Sequence, residues 1–535
     1  MAWRGYPVRM TCVALLALFA PCAWTPASAQ AADDRTQAFD RMVEDAVERY
    51  RLPGLAVGVV ADGEVVYART HGELRIGSGE KVDRDTLFKI ASNSKAMTAA
   101  LLARLIDAGR LEWTDPVVKH LPEFRMHDPW VTRELQVRDL LIHNSGLGAG
   151  AGDLMLWPEP NDFTREDVIH GLRYLEPVYS FRSRYAYDNT LYIVAGEVAA
   201  AAGGAPYDAL VRRELFGPLG MDRCQVGSWQ RDAVGNVAQP HALRDGRYVP
   251  TRVDGETIAD VPMMAAGGIR CSLDDMLAWM RMWLQPERFG LQDGDPWLSK
   301  RQREEVWKAH TIMPLSKRMR DWDGSHYSAY GYGWRLTDVD GTWKVSHTGT
   351  LGGMYSALTL LPERDTGFVI MINGDAGDAR TVLTQVLVKH FSDPESRPSV
   401  ARYAALLEAE HAEASRRVPV PDTSDRVPVS ASQVTGRTGI YRDPWFGAIS
   451  LCADAAGRVV FEAAKSPKMV GGLMSSKGRL LVQWHEPDVD QEPWLDFVEP
   501  RGDAPMRLAM RRIDPDGDFS SDYQDLAPVR VGDCP

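Results

Sequence analysis

The sequence predicts an α/β chain. A mixed sheet has its halves at the two ends of a long helical stretch that forms a helical subdomain, and a small all-β barrel follows. Three observations predict this. An apolar run at 54–60 with a hairpin partner stands near the start, strand patterns return between Tyr330 and Asn373, and six or more short strands crowd the last hundred residues. At 535 residues with 44% hydrophobic content, the chain is long enough for two or three domains with ordinary cores.

The first residues read as a leader. Arg4 and Arg9 precede the apolar Val13–Ala20, and Ala27-Ser28-Ala29 closes the stretch, the layout of a secretory signal peptide over residues 1–29, cleaved after Ala29. The apolar part is too short for a membrane span, and no later run reaches that length. An exported protein, periplasmic or secreted, is expected. The net charge of −12 becomes more negative once Arg4 and Arg9 leave, which argues against nucleic acid or anionic membrane as a partner. Cys12 and Cys22 leave with the leader; of the rest, Cys452 and Cys534 suit a bridge closing the last hundred residues. Cys224 and Cys271 are the weaker pair, because buried free thiols are common. No Cys-x-x-Cys or His-Glu-x-x-His pattern occurs, so neither a metal site nor any other cofactor is expected.

Along the chain, Phe39, Met42, Val43, Ala46 and Val47 recur at helical spacing over 35–50. Gly54–Val60, an Asp62-Gly63 turn and Val65–Ala68 make a hairpin. Small and apolar residues after Ser92 predict a helix that nothing breaks before Gly109, and 97–285 is mostly helical with Pro and Gly loops. Strands over 330–373 are followed by a helix at 377–391. Residues 400–417 predict an exposed helix, and the Pro-containing stretch 418–428 a stiff linker. Beyond it, strands are expected at 439–441, 448–451, 458–462, 479–484, 495–498 and 506–511.

Candidate chemistry begins at Ser92-Asn93-Ser94-Lys95. A serine opening a helix and a lysine three residues on share one face, so the amine can reach the hydroxyl and activate it. The helix start also offers unpaired N–H groups to a developing oxyanion. Alone the pair is weak: with each residue type at about 5%, a chain this long holds roughly one by chance. Tyr187-Asp188-Asn189 adds a phenol and an amide on one loop, a proton relay and a substrate clamp. His347-Thr348-Gly349-Thr350 follows a strand, with glycines that let a substrate lie along its edge. The N–H of Thr350 can complete an oxyanion hole with that of Ser92, and His347 is expected to face the crevice. His143-Asn144-Ser145-Gly146 reads as a structural loop, Asp274-Asp275 as acidic first-turn residues of a helix, and Trp334 and Trp343 as packing.

With Ser92-x-x-Lys95, Tyr187-x-Asn189 and His347-Thr348-Gly349 in this order, residues 35–392 resemble the class C β-lactamases and the esterases, D-aminopeptidases and carboxypeptidases that share their β-lactamase/transpeptidase-like fold. Val137–Leu147, Leu215–Met221 and Ala265–Arg270 also look like that family. Gly439–Gly447 resembles the start of the lipocalin-like domain often appended to it. The resemblance implies a serine hydrolase domain over 33–395, a helical segment and linker over 396–432, and a lipocalin-like barrel over 433–535. It implies that Ser92 forms an acyl-enzyme, that Lys95 and Tyr187 move the protons, and that Asn189, His347, Thr348 and Gly349 bind substrate. The substrate would be a small ester, amide or peptide, a D-amino-acid-containing peptide among them; the alternative is a β-lactamase, D-Ala-D-Ala carboxypeptidase or penicillin-binding sensor. The departure is His347. β-Lactamases and cell-wall carboxypeptidases usually carry lysine there, and a mostly neutral histidine weakens carboxylate recognition. Nothing in the sequence sets the oligomeric state.

Overall fold

In the computed structural model the two sheet halves join. Apart from residues 3–4, 6–26, 252, 292–293, 490, 500–501 and 503, the structure describes the whole chain, with side chains of the first helix described from Asp34 on. The expected leader, with Cys12 and Cys22, lies outside the described residues except at its two ends. No helix among the described residues is long and apolar enough to cross a membrane.

The main sheet has eight strands: β1 (Gly54–Ala61), β2 (Glu64–Gly72), β3 (Thr311–Ile312), β4 (Ser328–Tyr330), β5 (Arg335–Val339), β6 (Thr342–Leu351), β7 (Met354–Leu361) and β8 (Thr366–Ile372). Their order is β2-β1-β8-β7-β6-β5-β4-β3, and every neighbouring pair is antiparallel. The mixture is of strands and helices, because short turns connect most neighbours and no crossover is needed to bring β8 beside β1. Val57 lies opposite Ile370, so the two ends of the hydrolase half meet in one register.

Helices cover both faces, which explains why β1 reads as an unbroken apolar run. Leu55, Val57 and Val59 turn toward α1 (Ala27–Tyr50), α5 (Gly377–Ser392) and α6 (Val400–Arg417), and Phe39 and Val43 of α1 are buried there as the spacing predicts. Ala56 and Val60 turn toward the core shared with α2 (Ser94–Asp107), α3 (Thr190–Gly203) and α4 (Leu273–Leu284). Every residue of α2 except Arg104 and Asp107 is buried, so the helix behind the candidate nucleophile is a central pillar. Ser272 and Asp275 cap α4 reciprocally, the role expected for its acidic first turn.

Both cysteine pairs are disulfides. Cys271 sits on a two-residue strand, Arg270–Cys271, that pairs with Phe88–Lys89 just ahead of Ser92. The bridge to Cys224, the weaker expectation, therefore ties down the approach to Ser92.

The last strands are β9 (Val427–Pro428), β10 (Gly439–Asp443), β11 (Gly447–Ala453), β12 (Val459–Ala463), β13 (Val470–Ser476), β14 (Arg479–Trp484), β15 (Pro493–Val498), β16 (Arg507–Arg512) and β17 (Val529–Gly532). First pairs with last (β10 with β17), and β13 pairs with β14, so eight strands close into a barrel without free edges. β9 adds to β13 from within the expected linker: Val427 lies opposite Ser475, so the end of that segment is docked. Tyr441, Leu451, Phe461, Val482 and Leu495 are buried in the same apolar cluster as α2 and α3. At the seam the rings of Phe163 and Phe446 pack tilted, centroids 5.6 Å apart, and Lys465 pairs with Asp167 at 2.7 Å.

Candidate active site

Ser92 lies in a 3₁₀ turn, Ala91–Asn93, that runs straight into α2. Ala91 holds a φ of 48°, a conformation unfavourable for a residue with a Cβ, so the turn that presents Ser92 is strained. Strand β6 presses against this turn. A Cβ on Gly349 would come 2.2 Å from the Ile90 carbonyl oxygen, which only glycine avoids.

The expected partners converge. Lys95 Nζ lies 3.1 Å from Ser92 Oγ, and the Tyr187 hydroxyl donates to the same oxygen at 2.9 Å. Lys95 Nζ also donates to Asn189 Oδ1 (2.7 Å) and to the Ala266 carbonyl (2.9 Å), so all three of its donor directions are used. Burial drives the Lys95 pKa down to about 7, against the pull of Asp153 and Asp188. Burial pushes the Tyr187 phenol up to about 12, although Arg335 and Ser92 pull the other way. At neutral pH the phenol keeps its proton while the amine readily loses one.

His143 and Ser145 hold this loop from below, as expected of a structural stretch. Ser145 Oγ donates to Asp188 Oδ2 at 3.1 Å, and the Asp188 N–H donates to His143 Nδ1 at 3.2 Å. The His143 ring packs against Tyr187 at 4.3 Å and Tyr330 at 4.6 Å.

His347 differs from expectation: instead of facing open space it is buried, only 1% exposed. Its Nδ1 lies 2.7 Å from the Thr348 carbonyl, which can only accept, so Nδ1 carries the proton and Nε2 accepts from Tyr330 at 2.8 Å. Burial and the nearby Arg335 and Lys95 hold the imidazole neutral, well below its usual range. On the same strand Thr350 is exposed and Thr348 half-buried.

Two arginines and one aspartate escaped the sequence reading. Arg335 on β5 donates to Thr348 Oγ1 at 2.9 Å, and Arg380 at the start of α5 donates to the Gly349 carbonyl (2.7 Å) and Thr350 Oγ1 (2.8 Å). Burial works against the Arg335 charge, but Tyr185, Tyr330 and Tyr187 outweigh it; burial brings Arg380 down to about 10. Both stay cationic at neutral pH, and no carboxylate neutralises either among the described residues. Asp153 is fully buried and accepts from Asn189 Nδ2 at 2.8 Å, and burial lifts its pKa to about 8. No motif marks these residues: sheet register and loop packing alone bring them here.

Sheet, helical subdomain and site together define a hydrolase of the β-lactamase fold. The β-lactamase family model matches residues 39–390, and the chain belongs to that family. Among curated relatives, the unguisins hydrolase ungD of Aspergillus violaceofuscus is 26% identical over 446 residues, covering 78% of this chain and 76% of its own length. Penicillin-binding protein 4 of Amycolatopsis lactamdurans is 27% identical over 345 residues, 61% of this chain and 82% of its own. The octameric penicillin-binding protein homologue from Pyrococcus abyssi superposes with a TM-score of 0.56 at 18% identity, over 92% of this chain and 99% of that one, a likeness of fold.

Proposed function

We propose that the chain is an exported serine hydrolase that cleaves an ester or amide, such as a D-amino-acid-containing peptide, through an acyl-enzyme on Ser92. The observation that carries this reading is the placement of Ser92 Oγ between a buried, readily deprotonated Lys95 and a protonated Tyr187. Lys95 accepts the hydroxyl proton as Ser92 attacks the carbonyl. The N–H groups of Ser92 and Thr350 hold the oxyanion on the strained turn and the strand edge. Tyr187 gives its proton to the leaving group and is reprotonated from the Lys95 ammonium, and water then releases the acyl group. Asn189, its Oδ1 accepting from Lys95 and its Nδ2 donating to Asp153, holds the amine in line, while His347 accepts from Tyr330 and fixes that ring against the β6 strand.

A second reading, a β-lactamase, D-Ala-D-Ala carboxypeptidase or penicillin-binding sensor, is favoured by Arg335 and Arg380. Two uncompensated guanidinium groups beside Thr348 and Thr350 supply the cation that His347 does not, in a place suited to a substrate carboxylate.

One experiment tests both: the mature protein is incubated with a short-chain nitrophenyl ester or a penicillin, and turnover and intact mass are followed together. Hydrolysis of the ester, lost by at least about a thousandfold in Ser92→Ala, is the expected outcome. A lasting penicillin adduct, absent from Ser92→Ala, would move the assignment to the second reading. Full ester hydrolysis by Ser92→Ala would overturn the mechanism.

A further inference from the structure

The barrel reaches the candidate site through one turn, Asp518–Asp522, between β16 and β17. Arg512 clamps it from the barrel side, its Nη1 donating to the carbonyls of Asp518 (3.3 Å), Phe519 (3.3 Å) and Ser521 (3.4 Å). On the other side the buried Asp522 accepts from the backbone N–H groups of Gly152 (2.7 Å) and Leu154 (3.0 Å). Between those two, Ser520 Oγ donates to Asp153 Oδ2 at 2.8 Å, the same oxygen that receives Asn189 Nδ2. Among the described residues Asp153 Oδ1 has no partner, and Asn189 and Ser520 are the side chains that hold this carboxyl. The chain of contacts therefore runs Ser520, Asp153, Asn189, Lys95, from the barrel to the amine beside the nucleophile.

The second contact is made by Phe519. The Phe519 carbonyl packs on Gly150, where φ is 74° and a Cβ would come 2.5 Å from that oxygen. The Phe519 ring stands edge-on to Tyr187, centroids 5.7 Å apart, yet remains 39% exposed. An aromatic ring that touches a catalytic tyrosine and still has water on it is ready to bury apolar surface of a bound molecule.

Resting on the reading of Ser92 as nucleophile, we propose that this turn is a working wall of the active site. Phe519 is a specificity-determining residue that packs against an apolar acyl or leaving group, and Ser520 is a positioning residue that acts on Lys95 through Asp153 and Asn189. The substrate class is thereby narrowed to esters or amides with a bulky apolar substituent beside the bond cleaved. Losing the Phe519 wall weakens binding of such a substituent by about tenfold or more, the scale of a hydrophobic pocket contact.

The test uses the full chain with nitrophenyl acetate and nitrophenyl phenylacetate. Phe519→Ala should lower the phenylacetate-to-acetate ratio of kcat/KM about tenfold, chiefly through KM, and Phe519→Trp should retain it. Ser520→Ala should lower kcat on both esters about tenfold with KM little changed, and Ser520→Thr, which keeps the hydroxyl, should restore it. Wild-type turnover with every one of these variants within twofold on both esters would overturn the role of the turn while leaving the site intact. A loss in Ser520→Ala that Ser520→Thr does not restore, accompanied by a lowered Tm, would overturn it too and reduce the turn to a strut. Turnover that survives Ser92→Ala would instead strike the reading of the site, and the proposal with it.

Discussion

Lys95 brings its amine into surroundings where burial outweighs the attraction of Asp153 and Asp188. In the folded protein its proton leaves at about 7, whereas the ordinary value is 10.5. Below pH 7 the fold therefore bears the full cost of a buried charge. Between 7 and 10.5 that cost shrinks, because the folded state has released its proton and the unfolded chain has not. Lys95→Met should accordingly stabilise the protein more at pH 6 than at pH 9, the two gains differing by about 2–3 kcal/mol. Urea titrations at both pH values measure it; equal gains would show that Lys95 titrates as an ordinary lysine. In the same experiment series, kcat/KM of the wild type should fall with acid through about pH 7. Ser92, Lys95, Tyr187 and Asn189 were legible because a reactive group and its helper recur at short, fixed spacings. Arg335 was not, since it reaches the site by lying opposite Ser346 in the sheet. His347 was legible in position but not in role: nothing local says that Tyr330 covers its ring.

At the scale of elements, β6 and the Ser92 turn hold each other. Gly349→Ala places a methyl 2.2 Å from the Ile90 carbonyl oxygen and 2.4 Å from Ser356 Oγ. The strand or the turn must then move, at about 1–3 kcal/mol of stability and about a hundredfold in kcat, since reacting groups tolerate little displacement. Thermal melts and ester turnover check this together; an alanine variant with wild-type kcat would show that the two elements are not coupled. The strands most easily read in the sequence were those with branched or aromatic runs, such as β1, β8 and β14. β13, Val-Gly-Gly-Leu-Met-Ser-Ser, gave no alternation to read, and β17 is too short, yet these two close the barrel. Val427–Pro428 read as linker because proline suits one; as an edge strand it needs hydrogen bonds on one side only.

At the scale of the whole molecule, one apolar cluster runs from α2 and α3 into the barrel. Phe446, 1% exposed and packed on Phe163, lies at its seam. Phe446→Ala should destabilise by about 3–5 kcal/mol and lower a single calorimetric transition as a unit. A barrel that melted on its own, leaving the remainder at its wild-type Tm, would show that the halves are independent. Fold class and barrel could be foreseen from pattern, but not their union. Phe163 and Phe446 look like any buried aromatics until their neighbours are known.

The bond from Ser520 to Asp153 joins residues 367 positions apart. During synthesis at about 5–20 residues per second, Asp153 exists for roughly 20–70 seconds before its partner is made. A nascent chain thus carries Ser92, the proposed nucleophile, long before the proposed wall beside it. On the proposed role of the turn, full competence is expected only of a chain that extends past residue 522.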